Sequence, residues 1–248
     1  MNLSFGKKCV YALGQFGLVL CAFGAGKLFV SFFVNGGISG SHDFPSYIDS
    51  RFYFGFFTVV GFIIALNRLI DFLGGLVSGW LSDRSRMKKG RRTGFMIASA
   101  LPLAVFSVLV FFPPVTGESP ANAFFVAVCT VCFFSALALY TTPYLALLSE
   151  FGSTPRQRMQ LSTLTASASA LAYLLGNRIS FFADHFAADL SLSPVESFRL
   201  VIALFALVSG VCLAIPPLFI DERRYSQTDP VTDGFSDSLS IVLKDTYF

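Results

Sequence analysis

The chain has 248 residues, of which 54% are hydrophobic, only 13% are charged and 30 are Phe. So little charge cannot cover the surface of a soluble protein of this size, and the apolar residues fall in runs longer than the roughly 18–20 needed to cross a bilayer. Composition thus excludes a soluble enzyme or nucleic-acid-binding domain and predicts an all-α integral membrane protein; the formal net charge of +3 is informative only through its placement.

In chain order, Lys7 and Lys8 precede a first apolar span from about Val10 to Val34, too long for the core of a secretory signal. Gly14, Gly17, Gly24 and Gly26 give this span a thin side for close helix contact. A polar loop follows, from Asn35 to Asp49. The second span runs from about Phe52 to Leu81 and carries the small-residue ladder Gly74, Gly75, Ser78 and Gly79. It leads into a loop with six Lys or Arg residues between Arg84 and Arg92. A third span, about Gly94 to Phe112, is stopped by Pro113 and Pro114.

The fourth span covers about Ala121 to Leu148, and Glu150 to Gln160 reads as a second polar hinge containing Arg156 and Arg158. In the fifth span, about Leu161 to Phe182, Ser162, Ala166 and Ala170 form one row and Thr165 and Ser169 another. Helix contact is the expectation for both rows, with Thr165 and Ser169 also able to face a solute. The sixth span is expected at about Phe198 to Ile220, and residues 221–248 form a polar tail with a weakly amphipathic close, SLSIVLKDTYF.

Of the 18 Lys and Arg residues, 13 lie at the N-terminus, in the two hinges and in the tail. The alternate loops hold Arg51 and Arg199, and Lys27, Arg68 and Arg178 fall within spans. The positive-inside rule then predicts a multi-pass protein with both termini cytoplasmic. Cys129 and Cys132 have no second pair or His cluster and read as packing residues. His42 and His185, both expected in external loops, have neither metal nor triad spacing, so no metal, cofactor or enzyme activity is expected.

A charge inside a span costs about 2.5–3.5 kcal/mol unless paired or hydrated. Asp71 is the only acid in the six spans, and Arg68, three residues earlier, can pair with it. The two read either as an ion or proton site or as a structural pair that orients the second span. Lys27 and Arg178 lie towards the outer ends of their spans, where long stems snorkel; a cation facing a cavity would suit an anionic solute.

The hinge GWLSDRSRMKKGRR at residues 79–92 resembles the loop signature of the major facilitator superfamily. Asn67, Arg68 and Asp71 ahead of it, YTTPYLALLSE at residues 140–150, Arg156 with Arg158, and the tail together resemble the glycoside–pentoside–hexuronide:cation symporters, the melibiose permease-like branch. The resemblance implies a twelve-helix fold in two halves, in a cytoplasmic (inner or plasma) membrane. This chain would supply the N-terminal six-helix bundle, residues 1–220, and a cytoplasmic central loop, residues 221–248, leading to a seventh helix.

It further implies cation- or proton-coupled symport of a sugar-like solute, with Asp71 and Arg68 as coupling candidates and H+ or Na+ as the ion. Gly79, Asp83, Arg84, Gly90, Arg91 and Arg92 would form a conformational hinge, and Glu150, Arg156 and Arg158 a second. The expected partners are the solute, the bilayer, and a C-terminal six-helix half or a second subunit. Solute-cavity candidates are Lys27, Thr141, Tyr144, Thr165 and Ser169. Sodium-coupled members carry further acids at positions occupied here by Val19, Gly75 and, approximately, Thr141, and an arginine near Ala166; only the Arg68–Asp71 part is retained. Two other readings stand beside symport: a facilitator-like lipid or amphiphile transporter or uniporter, and a non-transporting docking or sensing subunit.

Overall fold

A computed structural model describes residues 3–33, 44–49, 51, 57–85, 87, 90–152 and 154–222. Among the described residues the six expected spans map onto seven helices: α1 (Phe5–Phe33), α2 (Val59–Arg84), α3 (Thr93–Leu109), α4 (Pro120–Phe151), α5 (Pro155–Gly176), α6 (Ile179–Leu190) and α7 (Pro194–Phe219). Four of them, α1, α2, α4 and α7, are long and apolar enough to cross a membrane. α3 is a shorter apolar helix of 17 residues, and α5 is the most polar of the set. The tail from 223 onward, His42, and Arg86, Lys88 and Lys89 of the hinge lie outside the described residues.

Capping chemistry sets the helix ends and corrects several expected boundaries. The second span starts at Val59 rather than near Phe52, because Thr58 is extended and its hydroxyl accepts the Gly61 amide at 3.0 Å. The fifth starts at Pro155, with Thr154 as cap and proline in the first turn, so Arg156 and Arg158 lie on a helix and not in a loop. Glu150 likewise belongs to the last turn of α4. That fifth span is also broken: α5 stops at Gly176, and α6 begins after Asn177 and Arg178. His185, expected in a loop, is on α6, 3.3 Å from Asp189. Ser193 and Glu196 form a capping box that starts α7, which places Arg199 on that helix.

The helices pack in the order α5, α1, α7, α3, α4, α2, with α5 leaning on α1, α2 leaning on α4, and α6 on α7. Small residues permit the closest approaches. A Cβ on Gly17 would stand 2.7 Å from the Ser209 carbonyl, and one on Gly14 2.7 Å from the Pro216 ring, so α1 and α7 touch through backbone. Gly24 and Gly26 have no such neighbour and belong instead to a wider π turn, Gly24–Leu28, within α1. On α2, Gly74 faces Ala138 at 2.9 Å and Gly79 faces Thr142 at 3.5 Å, as the ladder predicts. The row Ser162, Ala166 and Ala170 is exposed, so the contact expected for it is not made among the described residues.

Two aromatic-rich clusters divide the interior. At the end that carries the basic hinge, Tyr11 and Tyr144 stack at 4.3 Å and exchange hydroxyl-to-carbonyl bonds, while the Tyr140 hydroxyl donates to the Leu213 carbonyl at 2.9 Å. At the opposite end Phe32 is ringed by Phe33, Phe44, Tyr47, Phe111 and Phe198 within 5.6 Å. Large apolar side chains such as Phe62, Phe72, Phe124 and Leu207 point outward, which suits a lipid-facing surface. The chain is an integral membrane protein.

Candidate functional site

At the basic end, four helices are joined through charge. Asp83 closes α2, Arg91 and Arg92 precede α3, Glu150 lies in the last turn of α4, and Glu222 follows α7. The Arg92 guanidinium donates to Asp83 Oδ1 from Nη2 at 2.9 Å and from Nε at 3.3 Å, and its Nη1 donates to Glu150 Oε1. Arg91 Nη2 donates to that same Glu150 oxygen at 3.2 Å. Arginine suits this task, since its planar fork can engage two carboxylates from different helices at once.

Glu222 was not expected here. Its carboxylate, with the residue 3% exposed, accepts from the Arg92 amide at 2.9 and 3.1 Å, the Thr93 amide at 2.9 Å and the Thr93 hydroxyl at 2.8 Å. It therefore caps α3 from across the bundle. A signal for it exists in the sequence: Arg92, the residue before α3, has no side-chain acceptor, so the free amides of the first turn need an outside partner. Gly90 makes room for this carboxylate; it has φ +132, and a Cβ there would lie 2.9 Å from Glu222 Cβ.

The other hinge residues sort by what they touch. Gly79 packs on Thr142, and Arg84 lies over the Trp80 ring at 5.2 Å instead of joining the charge cluster. Arg158 Nε donates to the Gly152 carbonyl at 2.8 Å, which folds the start of α5 back on the end of α4. Arg156 is exposed and makes no ion pair among the described residues.

Deeper in α2, Arg68 is exposed and Asp71 half-buried, and no hydrogen bond or ion pair joins them among the described residues. The expected pair is thus not formed. Their spacing would allow the contact, since three residues at about 100° each leave the two side chains about 60° apart; Arg68 is nevertheless on the exposed side of α2, while Asp71 is turned only about 40° from buried Asn67. Asn67, 4% exposed, and Ser78, 0% exposed, lie on the buried side, and their Oδ1 and Oγ have no partner among the described residues. Thr141 Oγ1 on α4 is buried and unpartnered too.

A polar seam runs along the α1–α5 contact. Lys8 Nζ donates to Gln160 Oε1 at 2.7 Å, Gln15 Nε2 to Ser169 Oγ at 3.1 Å, and Lys27 Nζ to Asn177 Oδ1 at 2.6 Å. Thr165 returns its hydroxyl to the Leu161 and Ser162 carbonyls. Tyr144, a solute-facing candidate, is fully buried against Tyr11 and does not reach a cavity surface. Arg178 is exposed beside the break between α5 and α6.

A family model described as MFS/sugar transport protein matches residues 56–243. Over 172 residues the chain is 24% identical to an isoprimeverose transporter of Lactiplantibacillus pentosus, an alignment that covers 68% of this chain and 35% of that protein. The chain thus spans about a third of the length of this curated relative.

Proposed function

The chain belongs to the MFS/sugar transport protein family, and from that premise we propose that it forms the N-terminal half of a secondary transporter that moves a sugar-like solute by alternating access, coupled to a cation or proton. The observation that carries this is the charge cluster at the basic end. It ties α2, α3, α4 and α7 through Arg92, Asp83, Glu150 and Glu222, with all but Asp83 shielded from water, where a few ionic bonds can be made or released together. Such a cluster is a two-state element whose bonds favour one of two bundle arrangements. On this reading the basic end is cytoplasmic and both termini lie there. A C-terminal six-helix half, or a second subunit, covers the faces of α2 and α5 that have no neighbour among the described helices.

Coupling is assigned to Asp71. It lies one turn from Asn67, whose buried Oδ1 has no partner among the described residues, so a cation or a proton has an oxygen ligand or acceptor close by. Arg68 lies one turn away on the same helix and is the second coupling candidate. The test is uptake by the full-length protein in proteoliposomes, with isoprimeverose and related sugars as probes and with pH and sodium gradients imposed in turn. Asp71→Asn is expected to abolish gradient-driven accumulation while leaving downhill exchange. Accumulation that persists in this variant removes Asp71 from the coupling role. Uptake by the unmodified protein that ignores both gradients selects the uniporter, and a protein that moves no solute selects the docking or sensing subunit.

A further inference from the structure

Two of the long helical stretches interrupt their winding at the same level. In α1 the interruption is the π turn Gly24–Leu28, and between α5 and α6 it is Asn177 with Arg178, at ψ −12 and 5. The prolines inside α3, α4 and α7 cause no comparable break. The two interruptions touch. Asn177 donates from its backbone amide at 3.0 Å and from Nδ2 at 2.8 Å to the Tyr173 carbonyl, which leaves its Oδ1 for Lys27 Nζ at 2.6 Å. The Lys27 ammonium also sits 5.4 Å from the centre of the Phe23 ring. That ring fills the space above Gly176, where a Cβ would come within 2.8 Å, and meets Tyr173 edge-on at 6.1 Å.

A lysine that only snorkelled would extend its ammonium along its own helix towards water. This one reaches across to a neutral amide on the neighbouring helix, a bond that does not cancel its charge. π turns are among the causes of helix kinks and occur frequently at functional sites.

We infer that Lys27 is a positioning residue. Its bond to Asn177 couples the bend of α1 at the π turn to the bend between α5 and α6, so that residues 29–33 and α6 keep a fixed mutual distance as the end opposite the basic hinge opens and closes. This rests on the alternating-access reading above, and its test needs no solute, so the two can fail separately.

The full-length protein, with Cys9, Cys21, Cys129, Cys132 and Cys212 replaced, would carry nitroxide labels at Ser31→Cys and His185→Cys in nanodiscs. Pulsed electron paramagnetic resonance then reads the distance between the ends of α1 and α6. A single narrow distance is expected with Lys27 and with Lys27→Arg, which keeps a donor. Lys27→Met and Asn177→Ala are each expected to lose it and give a second population. A control pair at Phe5→Cys and Met159→Cys, at the basic end, is expected to stay unchanged in every variant. An unchanged Ser31–His185 distance in Lys27→Met would overturn the coupling, since aromatic packing would then suffice. Broadening at both label pairs would overturn it too, by showing that the substitution loosens the whole bundle.

Discussion

Glu222 caps Thr93. Its carboxylate takes the backbone amide at 2.9 Å and the hydroxyl at 2.8 Å, and so a residue beyond the end of α7 closes the first turn of α3. Removing the carboxylate exposes these amides to a site with little water. Glu222→Ala is expected to cost about 1–3 kcal/mol, the range for leaving buried hydrogen-bonding groups unsatisfied, and to lower the melting temperature of the detergent-solubilised protein. Gly90→Ala should do the same by another route, because its φ of +132 disfavours any side chain and the new Cβ would press on Glu222.

Arg92 holds Asp83 and Glu150 together, and a lysine cannot replace both arms of that fork. Arg92→Lys is therefore expected to behave much like Arg92→Gln. In each, thiol labelling of a cysteine introduced at buried Ser82, beside Asp83, should speed up by about tenfold, the equivalent of about 1.4 kcal/mol in the opening equilibrium. Labelling at the unmodified rate in Arg92→Lys would mean that one arm suffices.

Gly17 and Gly75 make a contrasting pair. Gly17→Ala puts a methyl group 2.7 Å from the Ser209 carbonyl, a backbone atom that cannot move aside, and should cost about 1–3 kcal/mol by overpacking. Gly75→Ala meets only Thr142 Oγ1 at 3.9 Å, ordinary contact distance, and should be tolerated. Melting curves of the two variants side by side decide whether α1–α7 and α2–α4 differ in this way.

Substitutions at Tyr144 and Ser169 test which of the two candidates faces a solute and which only packs. Tyr144→Phe loses the 2.9 Å bond to the Tyr11 carbonyl, which should cost about 1 kcal/mol of stability and leave the KM for uptake unchanged. Ser169→Ala frees Gln15 at the half-buried α1–α5 seam and should raise KM with little change in melting temperature. The reverse pattern would exchange their roles.

Composition and periodicity alone determined that the chain is a membrane-embedded helical bundle, because water and lipid sort residues by polarity before any helix meets another. The placing of Gly79, Asp83, Gly90, Arg91 and Arg92 at one end of the bundle was legible for a related reason: charges grouped beside an apolar span must sit at its end. Tertiary structure decided the partnerships. Arg68 and Asp71 lie within reach of each other on α2 yet are unpaired among the described residues, the arginine exposed and the aspartate half-buried. Glu222 lies 129 residues from Thr93, and only the packing of α7 against α3 brings it there. Tyr144 looks like a polar lining residue in sequence but is enclosed by Tyr11. Lys27, ambiguous in isolation, gained a defined partner once the π turn of α1 met the end of α5. Burial and local patterning depend on each residue's own chemistry and can be read along the chain; the pairing of polar groups depends on helix rotation and depth, which are set by the whole bundle.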